Sequence, residues 1–214
     1  MPSRPREPRV PADLEPADVG SLDVDADLDE VAIGPGTDAG RTIRGLRLRR
    51  STVTGARLTG ATLEHAELVD VLFEDCDLSG ATFGDTELRR VTFRRCRLSG
   101  FVAADLVASD LRLVDCKADG LWLRAARLER CGLVECDLSG SDWYAARVRD
   151  SRVVGCNLAD SELSAVEMDG VALHGSIFAG ASGVGSLRNV VIGPDQVLDL
   201  AVPLLAALDV RVEN

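Results

Sequence analysis

Between Arg44 and Gly180 the chain carries 39 charged side chains, and none stands at a residue number ending in 1, 3, 6 or 8. Every fifth residue from Ile43 to Phe178 is apolar, 28 positions in succession. The residue two places before each is small or apolar from Leu46 onward and never charged. With 46% of the chain hydrophobic, composition alone does not confine all charge to three columns of five. A strict period of five sends two side chains of each pentapeptide inward and three outward. Neither a helix, with its period of 3.6, nor a flat strand, with its period of 2, satisfies that, so the chain must turn a corner every five residues. Such a chain is a solenoid.

A longer period lies on top of the first. Glycine recurs at Gly40, Gly60, Gly80, Gly100, Gly120, Gly140 and Gly180, with Asp160 in the missing place, and cysteine recurs at Cys76, Cys96, Cys116, Cys136 and Cys156. Both spacings are four pentapeptides, so one coil is a four-sided square and residues 20 apart stack at strand spacing, about 4.8 Å. Glycine at one corner of each coil predicts a turn needing positive φ. Residues 26–180 amount to about eight coils, and the phase is broken only around Asp38.

The flanks differ. Residues 1–25 are rich in Pro, Asp and Glu and show no inward column, which predicts a mobile or loosely packed acidic arm. Residues 181–214 abandon the period. Pro194 suits the first position of a helix over about 194–208, Asp195 favours its N-terminal dipole, and Pro203 should kink or divide it. Asp209-Val210-Arg211-Val212 alternates like a short closing strand. The helix and strand together would cap the last coil.

Within the array one stretch departs from the pattern. Ala103, Ala108 and Ala118 stand where a large residue is usual, while Phe101, Leu106 and Leu111 occupy the small column. The unbroken 20-residue cysteine spacing argues against a net slip, so large and small residues have exchanged places at roughly constant volume, with room for local widening.

The net charge of −11 sits mainly at the ends: residues 1–30 carry nine acids and three arginines, whereas residues 31–193 carry 22 acids and 20 bases. An acidic chain repels phosphates, so direct nucleic-acid binding is not expected. No apolar run approaches the roughly 20 residues needed to span a bilayer, and the first twenty residues lack the apolar centre of a signal peptide, so a cytoplasmic protein without membrane contact is expected.

The chemistry-bearing residues are sparse. All six cysteines (Cys131 as well) fall in the small inward column; a ladder spreads ligands along a line, whereas zinc needs four at a point, so reduced cysteines serving as small hydrophobes are expected and no metal or cofactor. Arg50, Asp70, Arg90, Asp110, Arg130 and Asp150 alternate in sign at one corner, so that each charge would sit between two opposite ones and set coil register. His65 and His174 lie on different faces, and no phosphate loop, metal-binding helix motif or nucleophile elbow occurs, so no catalytic residue is assigned and an enzyme is not expected. Two exposed features stand out. Val114, Val134 and Val154 stack in one outward column, and Trp122 and Tyr144 point outward on another face with Val102 and Arg124 nearby, residue types that anchor interfaces. The plainer account of both is ordinary surface apolarity or cover by a terminal segment.

Blocks such as CDLSG at 76–80 and 136–140, CRLSG at 96–100, CNLAD at 156–160 and ATFGD at 81–85 resemble the consensus of the pentapeptide-repeat family. The resemblance covers about residues 26–180 and implies an all-β fold, a right-handed quadrilateral β-helix, here with a C-terminal α-helical cap. Two functions compete. The first is a non-enzymatic scaffold or protein–protein interaction module with a protein partner. The second comes from a further resemblance, to the Qnr-type fluoroquinolone-resistance branch, whose members act on DNA gyrase and topoisomerase IV, mimic duplex DNA and dimerise through a C-terminal helical segment. The tail VVIGPDQVLDLAVPLLAALDVRV is similar in kind, which makes Leu198, Leu204, Leu205 and Leu208 candidates for a homodimer interface. The near-neutral array and the lack of a loop insertion set this chain apart from that branch, so the scaffold reading leads and the gyrase reading stands as its alternative.

Overall fold

The structure is a computed structural model and describes residues 3–210. It is a parallel β-solenoid of about 9 turns closed by a single C-terminal helix, the right-handed β-helix of pentapeptide repeats. Ten strands follow one another along the main sheet, from Glu15–Ala17 to Val190–Val191, every pair parallel. Through the array the register is 20 residues: Leu48 opposes Leu68, which opposes Leu88, which opposes Ala108.

The two inward columns are what the period requires. From Ile43 to Phe178 every position ending in 3 or 8 is buried, and so is every position ending in 1 or 6 from Leu46 to Ala181. Polar residues in the small column are hydrogen-bonded in place: Trp143 Nε1 donates to Ser141 Oγ at 2.7 Å, and Cys131 N donates to Ser151 Oγ at 2.9 Å. All six cysteines are free and buried. Burial pushes the Cys131 thiol up to about 12.

The corners are more uniform than the glycine ladder suggests. Every residue numbered in fives from Asp25 to Gly180, Pro35 excepted, has φ between 45° and 70°. Glycine therefore does not mark a special corner; Asp, Arg, Glu, His and Ala adopt the same left-handed turn, at a cost of about 1–2 kcal/mol each.

Phe101 divides the array. Before it, strands of eight residues run through a corner (Arg47–Thr54, Glu67–Glu74, Glu87–Arg94); after it the strands shorten to three residues or fewer. On the side of residues 101–105, 121–125 and 141–145 the corner also tightens: Leu106 N donates to Ala103 O at 3.4 Å, Ala126 N to Leu123 O at 3.1 Å and Ala146 N to Trp143 O at 2.9 Å. The exchanged residues are all buried, Phe101 packs edge-on against Phe83 at 4.7 Å, and Leu113 still opposes Phe93, so no slip occurs. The widening is a cavity of about 30 Å³ among Phe93, Leu98, Phe101, Leu106, Leu111 and Leu121.

Both ends are closed. At the first coil Val19 and Leu22 are buried, and the strand Glu15–Ala17 pairs with Val31–Ile33, ahead of the start expected at residue 26. At the last, Pro194–Gln196 leads into one helix, Val197–Ala207; of the two effects expected of Pro203, division does not occur, and the proline lies inside the helix. Leu200 is buried and Leu204 packs against the core. Of the predicted closing strand, Arg211 and Val212 lie outside the described residues, and Asp209 forms a left-handed turn at the helix end with φ 57° rather than starting a strand.

Where a mobile or loose arm was expected, residues 3–11 run extended along the outside of the coil. Arg9 N donates to Asp70 Oδ1 at 3.0 Å and Arg6 N to Asp110 Oδ1 at 3.1 Å. Glu7 pairs with Arg112. The outward residues Val69, Asp70, Thr92 and Asp110 along this line are buried.

Candidate interaction surfaces

The strongest side-chain constellation lies on the side formed by residues 101–105, 121–125 and 141–145. Stacking at 20 residues places Val102, Trp122 and Asp142 in one outward column through successive parallel bridges, and Arg124 and Tyr144 in the next. Trp122 and Tyr144 are 48% and 46% exposed. Arg124 stands between them, its guanidinium carbon 5.8 Å from the Trp122 ring centroid and 5.4 Å from that of Tyr144, within cation–π range of both. Asp142 holds the group in position. Its carboxylate accepts from Arg124 Nε at 2.6 Å and from Tyr144 N at 3.0 Å, so backbone and side chain of the cluster share one anchor. Beneath it Trp143 is fully buried. The result is an aromatic–arginine platform in which Asp142 holds the Arg124 side chain and the Tyr144 backbone, and Arg124 lies against both rings.

The other residues singled out in sequence fall elsewhere. Val114, Val134 and Val154 form their own half-buried column, and Val134 and Val154 flank the docked arm beside Arg4, Pro5 and Glu7. Terminal cover therefore accounts for part of that column, while the aromatic cluster is open. In the C-terminal helix Leu198 is 82% and Leu208 68% exposed, whereas Leu204 and Leu205 are half-buried, so the four leucines do not share one face. His65 is exposed on its own side, with Asp85 at 3.6 Å. Among the described residues no group of three His, Cys, Asp or Glu side chains converges as metal ligands would.

The alternating corner is paired differently from the expected continuous ladder. Arg90 reaches back to Asp70 with two bonds of 2.6 Å, Arg130 reaches back to Asp110 at 3.4 Å and also to Glu129, and Arg50 turns to Asp29 and Glu30. Each arginine reaches a carboxylate of the preceding coil, and Asp70 and Asp110 each accept one further bond from the arm outside. Burial pulls the Asp70 carboxyl upward, but Arg90 and the Arg9 amide outweigh it and hold the group below the ordinary carboxylate range.

Sequence reasoning missed Asp142 as the anchor and Gly132 as a seat. Gly132 is the outward residue of a strand, a place where glycine has no turn to make; a Cβ there would meet Pro5 Cγ at 3.0 Å. That anomaly, together with proline at every third residue of the arm, was the available signal.

The class that repeat and coil define is the pentapeptide-repeat solenoid. A family model described as pentapeptide repeat region matches residues 39–103. Similar solved structures include HetL, a pentapeptide repeat protein involved in heterocyst differentiation regulation from the cyanobacterium Nostoc, at 17% identity and a TM-score of 0.36, covering 78% of this chain and 87% of HetL. Full-length QnrB1, a plasmid-mediated fluoroquinolone resistance protein, matches at 18% identity and a TM-score of 0.30, covering 84% of this chain and 100% of its own. At these scores neither likeness carries an argument about function. No curated protein matches the sequence. No helix among the described residues is long and apolar enough to cross a membrane.

Proposed function

We propose that this chain is a non-enzymatic scaffold that docks a protein partner on the platform of Val102, Trp122, Arg124 and Tyr144. The carrying observation is the exposed Trp122–Arg124–Tyr144 stack tied to Asp142. Tryptophan, tyrosine and arginine are the residues that dominate interface energetics, and a rigid presentation lowers the ordering cost of binding. The partner sought is a protein, present in the same cytoplasmic compartment that the sequence leads us to expect, with no direct role for nucleic acid or a membrane. The test is affinity capture with the intact protein and with the Trp122→Ala/Tyr144→Ala variant. A partner retained by the first and lost by the second supports the reading, and equal capture by both overturns it.

A second reading, modulation of DNA gyrase or topoisomerase IV through a homodimer, is favoured by one observation. Leu198 and Val202, with Leu208 at the helix end, remain exposed although the helix already caps the coil through Leu200 and Leu204. Such a stripe suits a two-fold partner. Sedimentation at the monomer mass would remove the dimer, and a supercoiling assay showing neither inhibition nor relief of quinolone poisoning would remove the topoisomerase.

A further inference from the structure

The arm and the corner beneath it share a period. Proline recurs at Pro2, Pro5, Pro8 and Pro11. Proline fixes its own φ and holds the residue before it to extended conformations, so such a segment is pre-set as a polyproline II strand. That helix has three residues per turn and a pitch of about 9.3 Å. Acids recur at the corner every 40 residues (Asp70, Asp110), two coils apart, which at strand spacing is about 9.6 Å. The near-equality brings the amides after Pro5 and Pro8 opposite two acids: Arg9 N meets Asp70 and Arg6 N meets Asp110. A proline strand has few N–H donors to offer, and here two of them are used, in register, on two carboxylates.

Three further features belong to a binding groove. Gly132 is the outward strand residue whose missing side chain makes room for Pro5. Arg112 reads the charge of Glu7. Beside Pro5 a space of about 280 Å³ remains between the arm, at Arg4, Pro5 and Glu7, and the coil residues Arg112, Gly132, Val134, Arg152 and Val154. One strand residue of the same face, Thr92, has its Oγ1 buried with no hydrogen-bond partner among the described residues, an arrangement that costs free energy.

We propose that the corner from Asp70 to Gly132 is a docking groove for polyproline II strands with proline at every third residue, and that residues 3–11 occupy it in cis until a proline-rich segment of another protein displaces them. Tethering gives the arm an effective concentration in the millimolar range, so a displacing strand must match the groove better than the arm does or engage a second surface as well. The platform at Trp122 lies on a different side, which leaves both surfaces accessible to one partner.

The full-length protein tests this through tryptic cleavage after Arg9, which a docked arm resists. Gly132→Val fills the seat of Pro5 with a residue suited to a strand, and Asp70→Asn/Asp110→Asn removes the acids; each should speed cleavage after Arg9 about tenfold or more, with the thermal melt reporting that the coil is intact. A fluorescein-labelled peptide of residues 3–13, SRPREPRVPAD, should then bind the nicked wild-type protein, and bind at least tenfold more weakly when its three prolines are alanine or when the protein carries Gly132→Val. Unchanged cleavage in both variants overturns the cis contact. Failure of the nicked protein to bind the peptide, or equal binding of the alanine peptide, overturns the groove.

Discussion

Trp122 and Tyr144 stand in the open on one side of the rod, while Asp70 and Asp110, outward by the same five-residue count, are buried at a corner remote from them. The apolar pair is exposed and the charged pair is covered, the reverse of what side-chain chemistry alone would arrange. The difference comes from what lies outside each. The acids gain backbone donors from the arm and arginines from the neighbouring coil, which offsets the loss of water. No described segment covers the aromatic cluster, and it is held instead by Asp142 and Arg124 within its own surface. Inward burial is a property of the repeat, whereas outward burial is decided by a segment that can lie more than a hundred residues away.

The largest expected effect tests how firmly the open side is supported. Trp143→Ala removes the largest fully buried side chain beneath Tyr144 and leaves Ser141 short of a donor, at a cost of about 3–5 kcal/mol by denaturant unfolding. A loss near zero would mean that the platform does not rest on it. On the covered corner, Asp70→Ala strands the Arg90 guanidinium and the Arg9 amide and should cost about 1–3 kcal/mol. Asp75→Ala, at a corner where the pair with Arg95 is exposed, should change stability far less. Equal effects would erase the distinction between covered and open corners. Acid should act on the same contrast. The Asp70 carboxyl is held below its ordinary value of 3.8, so its contribution is complete above that pH and is lost as pH falls through the lower folded value. The Arg9 amide resonance should therefore stay constant from pH 7 to pH 5 and move toward its free position only below about pH 4. A shift centred near neutrality would exclude Asp70 as the acceptor. The smallest effect is on the open side: Trp122→Ala/Tyr144→Ala should alter stability by less than about 0.5 kcal/mol, which separates its role in capture from any role in folding.

The coil was legible in the sequence because its cause is local: a charge-free column every fifth residue admits one path for the chain, and Cys76 through Cys156 counted the sides of the square. Even the exchange at Phe101, Ala103, Leu106 and Ala108 could be read, since column volume and register both had to balance. The pairing within the Arg50–Asp150 series could not, because spacing places a charge between two neighbours without saying toward which its side chain bends. Nor could the docking of residues 3–11, whose partners at Asp70, Asp110 and Gly132 follow no local pattern in the arm except its prolines. The aromatic platform was half legible: outward direction followed from residue number, but the role of Asp142 depends on the tight corner that the coils after Phe101 form on this side.

Gln196 stands 20 residues beyond Ser176 and 40 beyond Cys156, the next rung of the small inward column. Its Nε2 donates to Leu173 O at 2.8 Å and to Ser176 O at 2.7 Å, and its Oε1 accepts from Gly193 N at 2.7 Å. In the preceding coils the carbonyl at the Ser176 position receives the backbone amide of the following turn, as Cys156 O receives Ile177 N. One long amide thus stands in for a whole coil that never comes. A bare β-helix end is a template on which another rod could grow end to end. By occupying two of those carbonyls with a side chain, the molecule removes acceptors from the edge on which a further rod would pair.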